Sequence, residues 1–133
     1  MGKKKIVGWL NEPKSIKNWY GFVYEIINNI NHKRYIGKKF FWKKKTLSPL
    51  KGRKNKRHKK VESDWKSYWG SCKELLEDIR KYGEENFTRR ILLLCKDKWE
   101  CAYYEAKLQF ENNVLLDKTW YNGIINCRLS KRK

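Results

Sequence analysis

The chain has 133 residues, of which 33 are Lys or Arg and 14 are Asp or Glu, giving a formal net charge of +19 at pH 7. This length suffices for one domain with one core and leaves no room for a second domain of full size. Hydrophobic residues make up 40% and aromatic residues 15% of the chain, so wholesale disorder is excluded. The excess of cations predicts a polyanionic partner, for which nucleic acid is the first candidate.

Signals for membranes and secretion are missing from the sequence. No stretch approaches the roughly 20 apolar residues of a membrane span, and the N-terminus lacks the apolar core of a signal peptide. Ile6 stands where a myristoylation signal needs Ser or Thr. The four cysteines are irregularly spaced without a CxxC pair, which favours reduced thiols. The sequence therefore predicts a cytoplasmic protein that makes no membrane contact.

The first predicted elements in chain order are a basic arm and a β-hairpin. Residues 1–18 combine lysines and Pro13 with few periodic apolar positions, which predicts an irregular arm. Residues 20–27 (YGFVYEII) and 34–37 (RYIG) are rich in β-branched and aromatic residues and flank an Asn-rich turn. This pattern is typical of a hairpin.

A strongly basic segment follows at residues 38–62. Between residues 38 and 60, twelve of 23 residues are Lys or Arg and none is acidic. Pro49 and Gly52 interrupt the segment, so we expect a long loop, or a short helix plus loop. Interleaved aromatic residues favour contact with a phosphate backbone, which positions a duplex without reading its sequence. The predicted DNA-binding residues are Lys39, Lys43, Lys44, Lys45, Arg53 and Lys54.

A helix and a strand are predicted next. Ser71 followed three residues later by Glu74 is a capping box, and apolar residues then recur at helical spacing until Gly83. This predicts a helix over residues 72–82. Residues 86–95 (NFTRRILLLC) end in an apolar run, which predicts a strand buried at one end and paired beside the hairpin.

A second helix is predicted over residues 98–112, before a basic tail at residues 128–133. One face of this helix is expected to be apolar, with Trp99, Ala102, Tyr103, Ala106 and Phe110. The order β, β, basic loop, α, β, α predicts an α+β fold in which helices flank a small, about three-stranded, antiparallel or mixed sheet. We expect it to form a single domain over residues 19–127.

Tyr24 and Tyr35 lie on the two arms of the predicted hairpin, where such a pair is most often structural. The surrounding motifs, Gly21-Phe22-Val23-Tyr24 and Tyr35-Ile36-Gly37-Lys38, together resemble the paired signature of the GIY-YIG nucleases. Tyr68-Trp69-Gly70-Ser71, Lys81-Tyr82-Gly83, the Glu105 helix and Tyr121-Asn122 follow in that family's order. The resemblance covers about residues 20–126 and implies the α/β sandwich of these nucleases.

The resemblance also implies an activity and roles for individual residues. It implies an endonuclease of phage or homing type that hydrolyses phosphodiester bonds in double-stranded DNA with Mg²⁺ or Mn²⁺. Glu105 would be the single carboxylate that ligates the cation, which suits Mg²⁺. Tyr24 would be the general base, Tyr35 would orient water or phosphate, and Asn122 would hold phosphate or water unless it is only a turn residue.

Two of these roles need further cations. The pKa of an ordinary tyrosine is about 10, so a basic Tyr24 requires nearby positive charge, for which Lys38 and the cations of the basic segment are the expected sources. The family's arginine after the second motif half has no counterpart directly after Gly37. We therefore favour Arg57, with Arg53 or a lysine as alternatives, and His58 as a proton shuttle beside it.

Two other classes of function remain open on the sequence. One is a catalytically inactive nucleic-acid-binding module on the same fold, favoured by the unmatched arginine. The other is a small basic RNA-binding protein, which would explain the charge but not the ordered motifs. For the nuclease we expect a monomer or a transient dimer on DNA.

Overall fold

The computed structural model describes residues 8–132, which form two helices, a four-stranded mixed sheet and a separate two-stranded sheet. The α+β class predicted from the sequence is confirmed. Short 3₁₀ turns lie at Trp65–Ser67 and Glu84–Asn86. The elements are β1 (Trp9–Leu10), β2 (Gly21–Asn28), β3 (Arg34–Phe40), β4 (Trp42–Leu47), β5 (Arg57–Glu62), α1 (Lys73–Tyr82), β6 (Phe87–Cys95) and α2 (Lys98–Glu111).

Strand β2 lies inside the larger sheet, whose order is β1-β6-β2-β3. It pairs antiparallel with β3 on one side and with β6 on the other. Phe22, Tyr24 and Ile26 face a core that includes α1, whereas Val23 faces a second core that includes α2. Because both faces are covered, β2 is apolar on both faces from Phe22 to Ile27 except at the buried Glu25, and does not alternate between apolar and polar residues.

The predicted hairpin, first helix and third strand are confirmed as β2–β3, α1 and β6. Gly83 ends α1 with a φ of 91°, and its N–H donates to the Ile79 carbonyl at 2.8 Å. The predicted capping box is wrong. Cys72 occupies the N-cap without a side-chain hydrogen bond to the helix, and Ser71 lies one residue too early.

The second predicted helix is confirmed as α2, but Ala106 is the only buried residue of its predicted apolar face. Tyr103 and Phe110 are 41% and 61% exposed, whereas Cys101, Glu105 and Gln109 are buried. Hydrogen bonds draw these polar residues inward, since Glu105 pairs with a β3 lysine and Gln109 with a β3 carbonyl. The spacing of apolar residues along the helix does not reveal these hydrogen-bond partners on β3.

The N-terminal segment is ordered earlier than the sequence predicts. Trp9 and Leu10 form β1, which pairs in parallel with β6, so the expectation of an irregular arm is wrong here. Trp9 is buried, and its indole N–H donates to the Trp65 carbonyl at 2.8 Å. A two-residue strand is too short for a periodic pattern, so it depends on this tertiary contact. Residues 1–7 of the predicted arm and residue 133 of the predicted tail lie outside the described residues.

The basic segment is also more regular than predicted. Instead of a loop, β4 and β5 form an antiparallel ribbon in register from Trp42↔Glu62 to Leu47↔Arg57. Five of the twelve residues in its two strands are lysine, which is depleted in strands, so the composition argued against strands here. The backbone ladder and the anchored base of the ribbon hold it together: Phe41 is fully buried and the Trp42 indole donates to the Trp19 carbonyl at 2.9 Å.

A buried arginine connects the sheet to the segment before α1. The Arg89 guanidinium lies between the rings of Trp9 and Trp69, at 4.5 and 4.1 Å from their centroids. It donates to the carbonyls of Tyr68 at 2.7 Å and Lys66 at 3.1 Å. Burial lowers the pKa of Arg89 to about 10, so it stays charged at neutral pH. Arg89 therefore holds the 66–69 segment against β6.

We expect Arg89→Met to destabilise the protein by about 3 kcal/mol, because it removes two stacked aromatic contacts and leaves two carbonyls without their donor. Chemical denaturation followed by circular dichroism measures the loss. Arg80→Met is the matched control, since Arg80 is exposed on α1 and should change stability by less than about 0.5 kcal/mol. Equal stability losses in the two variants would contradict the assignment.

Candidate active site

A cleft of about 390 Å³ opens along the edge strand β3, between the sheet, α2 and the segment after residue 121. Five of the seven catalytic residues predicted from the sequence line it: Tyr24, Tyr35, Lys38, Glu105 and Asn122. The other lining residues are Tyr68, Ser71, Cys72, Gln109, Gly123, Ile124 and Asn126. Side chains separated by up to 102 positions in the chain, from Tyr24 to Asn126, thus meet at one site.

Two glycines let the Tyr24 ring reach this edge. Tyr24 pairs with Gly37 across the β2–β3 ladder, and its ring centroid is 6.2 Å from that of Tyr35. A Cβ at Gly37 would lie 2.5 Å from the Tyr24 hydroxyl, and one at Gly70 would lie 3.2 Å from it. Gly70 also has a φ of +88°, which favours glycine. The glycine of the second motif half is therefore a steric requirement of the tyrosine of the first half.

Both tyrosines hold their protons strongly in this site. Burial raises the pKa of Tyr24 well above its usual value, and the neighbouring Tyr35 raises it further. Burial likewise raises the pKa of Tyr35 to about 12. The expected lowering of the Tyr24 pKa by Lys38 and the basic segment does not occur, because burial is the largest influence on this pKa and raises it. At neutral pH the two side chains are therefore phenols and not phenolates.

Lys38 and Glu105 form an ion pair in the cleft. Lys38 Nζ lies 3.1 Å from Glu105 Oε1, and the Glu105 side chain is only 12% exposed. Burial raises the pKa of Glu105, and the charge of Lys38 opposes that rise. The site thus contains one partly desolvated carboxylate with a cationic neighbour, next to two phenols.

Two side-chain amides fix the backbone of β3 at Ile36. Asn122 accepts from the Ile36 N–H at 3.1 Å and donates to the Ile36 carbonyl at 2.8 Å. Gln109 donates to the same carbonyl at 2.9 Å, which turns its Oε1 away from that carbonyl. This geometry supports the structural interpretation of Asn122, which positions the strand between Tyr35 and Lys38.

Sequence reasoning missed Gln109. It lies four residues after Glu105, so both project from one face of α2, and this spacing was the available signal. Gln109 Oε1 is buried and has no hydrogen-bond partner among residues 8–132. Its neighbour Glu105 was found only through the family resemblance.

The donors in the cleft fit a hard divalent cation. Within residues 8–132, no cluster of three His, Cys, Asp or Glu side chains exists that would enclose a metal ion. Glu105 offers a carboxylate, and Gln109 offers the unpartnered amide oxygen described above. Mg²⁺ prefers oxygen ligands and is often held by only one or two carboxylates, with water completing its shell. An open, oxygen-lined cleft with one carboxylate is of this kind.

Arg57 and His58 are not brought into the cleft, so the prediction that they act beside Tyr24 is wrong. They lie on β5, opposite Leu47 and Thr46. Arg57 instead lines a second depression near the end of the ribbon, together with Arg53 and Lys54. Within residues 8–132, Lys38 is the cation that lines the active-site cleft.

The predicted DNA-binding residues fall into two groups. Lys39 is on β3, where its ammonium lies 2.7 Å from Asp64 and 4.1 Å from the centre of the Tyr68 ring. The others are exposed on β4 or in the turn that follows it: Lys43, Lys44, Lys45, Arg53 and Lys54.

No helix among residues 8–132 is long and apolar enough to cross a membrane.

Comparisons with known proteins identify the family of this chain. Residues 8–125 match the family model described as "Putative endonuclease segE, GIY-YIG domain". The chain is 34% identical over 103 residues to "Putative endonuclease segE" of Enterobacteria phage T4; the matched region is 77% of this chain and 40% of that protein. No solved structure matches the chain. The family match begins before Trp9, consistent with β1 as part of the fold, and the chain belongs to the GIY-YIG endonuclease family.

Proposed function

We propose that this chain is a divalent-cation-dependent endonuclease that hydrolyses phosphodiester bonds in double-stranded DNA. The observation that carries the proposal is the convergence of Tyr24, Tyr35, Lys38 and Glu105 on one cleft of an endonuclease-family fold. A phosphodiester needs positive charge at its non-bridging oxygens and a route for the proton of the attacking water. The cleft contains groups for both.

Glu105 and Gln109 are the residues that would hold the cation, with Glu105 supplying the charge. When bound, Mg²⁺ or Mn²⁺ supplies Lewis acidity at the phosphate. Lys38 Nζ lies 3.1 Å from Glu105 Oε1, and we expect its ammonium to contact a phosphate bound in the cleft as well. Lysine acts there as a point charge, without the planar fork of an arginine.

The raised pKa values of the tyrosines suggest how a proton leaves the water. Tyr24 takes a proton from water through its oxygen lone pair while it passes its own proton to a non-bridging phosphate oxygen. A phenolate need not form in this exchange, so burial of the ring does not oppose it. Tyr35 stays protonated and donates to a second phosphate oxygen.

Incubation of supercoiled plasmid with the protein at low salt tests this proposal. We expect nicked or linear DNA with Mg²⁺ or Mn²⁺ and intact plasmid with EDTA. Tyr24→Phe should lower the cleavage rate by about 10²-fold or more, because it removes the group that accepts the proton. The Tyr24→Phe variant must unfold at the same temperature as the parent protein for the lower rate to reflect a lost proton acceptor.

The alternative is a nucleic-acid-binding module on the same fold without activity. It is favoured by the lack of an arginine at the cleft within residues 8–132. A protein that retards duplex DNA on a gel yet leaves plasmid intact with both metals would support this alternative and contradict the endonuclease. Tighter binding to duplex RNA than to duplex DNA would instead favour an RNA-binding protein.

A further inference from the structure

The ribbon formed by β4 and β5 projects from the fold at a base anchored on both sides. Strand β4 follows directly after the buried Phe41, and Ser63, just past β5, donates from its N–H to the Phe41 carbonyl at 2.7 Å. The Lys60 ammonium lies 4.5 Å from the centre of the Trp42 ring, close to the same base. Beyond this base, residues 43–46 and 48–60 are exposed.

The ribbon has no apolar face to bury. Residues 43–60 contain ten Lys or Arg and no acidic residue: Lys43, Lys44, Lys45, Lys51, Arg53, Lys54, Lys56, Arg57, Lys59 and Lys60. So many like charges repel one another, and a polyanion that lies against them relieves the repulsion. Loop residues that served only solubility would not need a regular ladder of six residue pairs.

The register distributes the charge over both faces of the ribbon. Directly opposed residues of an antiparallel pair share a face, and successive residues alternate. One face therefore presents Lys43, Lys45, Arg57 and Lys59, and the other presents Lys44, Thr46, His58 and Lys60. A surface that lay flat on one phosphate strand would use cations on one face only.

We propose that this ribbon inserts into the major groove of double-stranded DNA, with its two cationic faces against the phosphates of the two groove walls. The inference rests on the DNA substrate of the proposed function. The major groove of B-DNA is about 12 Å wide and admits a two-stranded ribbon, whereas the minor groove is about 6 Å wide and does not. Strands of six residues extend about 20 Å, which exceeds the groove depth of about 8.5 Å.

A footprint identifies the groove independently of cleavage. Dimethyl sulfate methylates guanine N7 in the major groove and adenine N3 in the minor groove. We expect the full chain carrying Glu105→Gln, bound to duplex DNA, to protect guanine N7 at a cluster of positions. Free guanine N7 throughout the bound duplex, or protection of adenine N3 alone, would overturn the inference.

A shortened ribbon tests which segment gives the protection. Replacing residues 45–59 by Asn-Gly joins the Lys44↔Lys60 pair through a two-residue turn and keeps the anchored base. We expect this variant to unfold at the same temperature, to bind DNA more weakly with a flatter salt dependence, and to lose the guanine protection. Unchanged affinity, salt slope and protection would overturn the inference.

Paired substitutions separate the ribbon from general surface charge. Lys45→Ala with Lys59→Ala, and Lys44→Ala with Lys60→Ala, each change one face, and each should lower the salt slope by about 2. The matched control is Lys14→Ala with Lys118→Ala, two exposed lysines outside the ribbon, which should leave the slope nearly unchanged. An effect from one face alone, or an equal effect from the control, would contradict insertion between two walls.

The footprint tests the ribbon inference and the plasmid assay tests the endonuclease proposal, so each can be contradicted without the other. Guanine protection without cleavage would leave the ribbon inference standing and remove the endonuclease. If the variant with the shortened ribbon cleaved plasmid at the parent rate at every salt concentration, the endonuclease would stand and the ribbon inference would be overturned.

Discussion

Glu105→Gln is expected to lower metal-dependent plasmid cleavage by about 10³-fold or more, because no other carboxylate lines the cleft within residues 8–132 to hold the cation. The substitution keeps the shape of the side chain and removes its charge. Cleavage rates at several Mg²⁺ concentrations measure the loss, and isothermal titration with Mn²⁺ should show weaker binding than to the parent protein.

The same variant should gain stability at neutral pH. The pKa of Glu105 is raised in the folded protein, so its ionisation opposes folding once the pH exceeds its ordinary value. Glutamine removes this opposition. The stability difference between variant and parent should therefore shrink as the pH falls below the ordinary pKa of a glutamate, about 4.3, where the parent carboxyl is neutral in both states.

Thermal unfolding between pH 4 and pH 8 distinguishes a lost ligand from a lost fold. Reduced cleavage with equal or higher stability supports a role for Glu105 in the reaction. Reduced cleavage with a lower unfolding temperature at pH 7 would mean that Glu105 is structural. Full cleavage by a folded variant would remove it from the site.

Gly37→Ala is expected to destabilise the protein by about 3 kcal/mol and to abolish cleavage. The new methyl group would lie 2.5 Å from the Tyr24 hydroxyl oxygen, 2.7 Å from its ring carbon Cζ and 2.9 Å from the Tyr35 ring. The Tyr24 ring cannot move away easily, because it is buried and packs against the Trp9 ring, with 5.2 Å between the two ring centroids. Overpacking of this kind usually costs about 1–3 kcal/mol, and here two tyrosines are displaced.

Denaturation curves and plasmid cleavage measure both effects of Gly37→Ala. Gly8→Ala is the control, since a Cβ there meets no atom closer than 3.9 Å. Combining Gly37→Ala with Tyr24→Leu should cost less stability than the sum of the two single changes, because the smaller side chain vacates the contested space. Additive losses would show that the clash is not with Tyr24.

Local pattern predicted much of the architecture. The β2–β3 hairpin, α1, β6 and the limits of α2 follow from strand and helix periodicity, and Gly83 ends α1 as a terminal glycine does. The site residues were found differently. Tyr24, Tyr35, Lys38 and Glu105 carry no periodic signal of their own and were identified through the family resemblance, the first three from the two hairpin motifs and Glu105 from its helix.

Errors arose where a remote contact decides the outcome. Strand β1 forms because it pairs with β6 and because the Trp9 indole donates to the Trp65 carbonyl. Gln109 of α2 faces the interior because it donates to the Ile36 carbonyl of β3. The β4–β5 ribbon forms although its composition predicted a loop. Because Arg57 and His58 pair with β4 in this ladder, they do not line the cleft that contains Tyr24. None of these contacts joins residues that are neighbours in the chain.

By itself, the sequence determined the fold class, the two motif halves and the cationic character, because each depends on residue type and short-range spacing. The tertiary structure decided the composition of the cleft and the ionisation of its groups. Tyr24 is a phenol with a raised pKa because the fold desolvates it, and desolvation comes from residues far away in the chain. Its distance from Gly37, and therefore the steric need for that glycine, likewise exists only once β2 and β3 have paired.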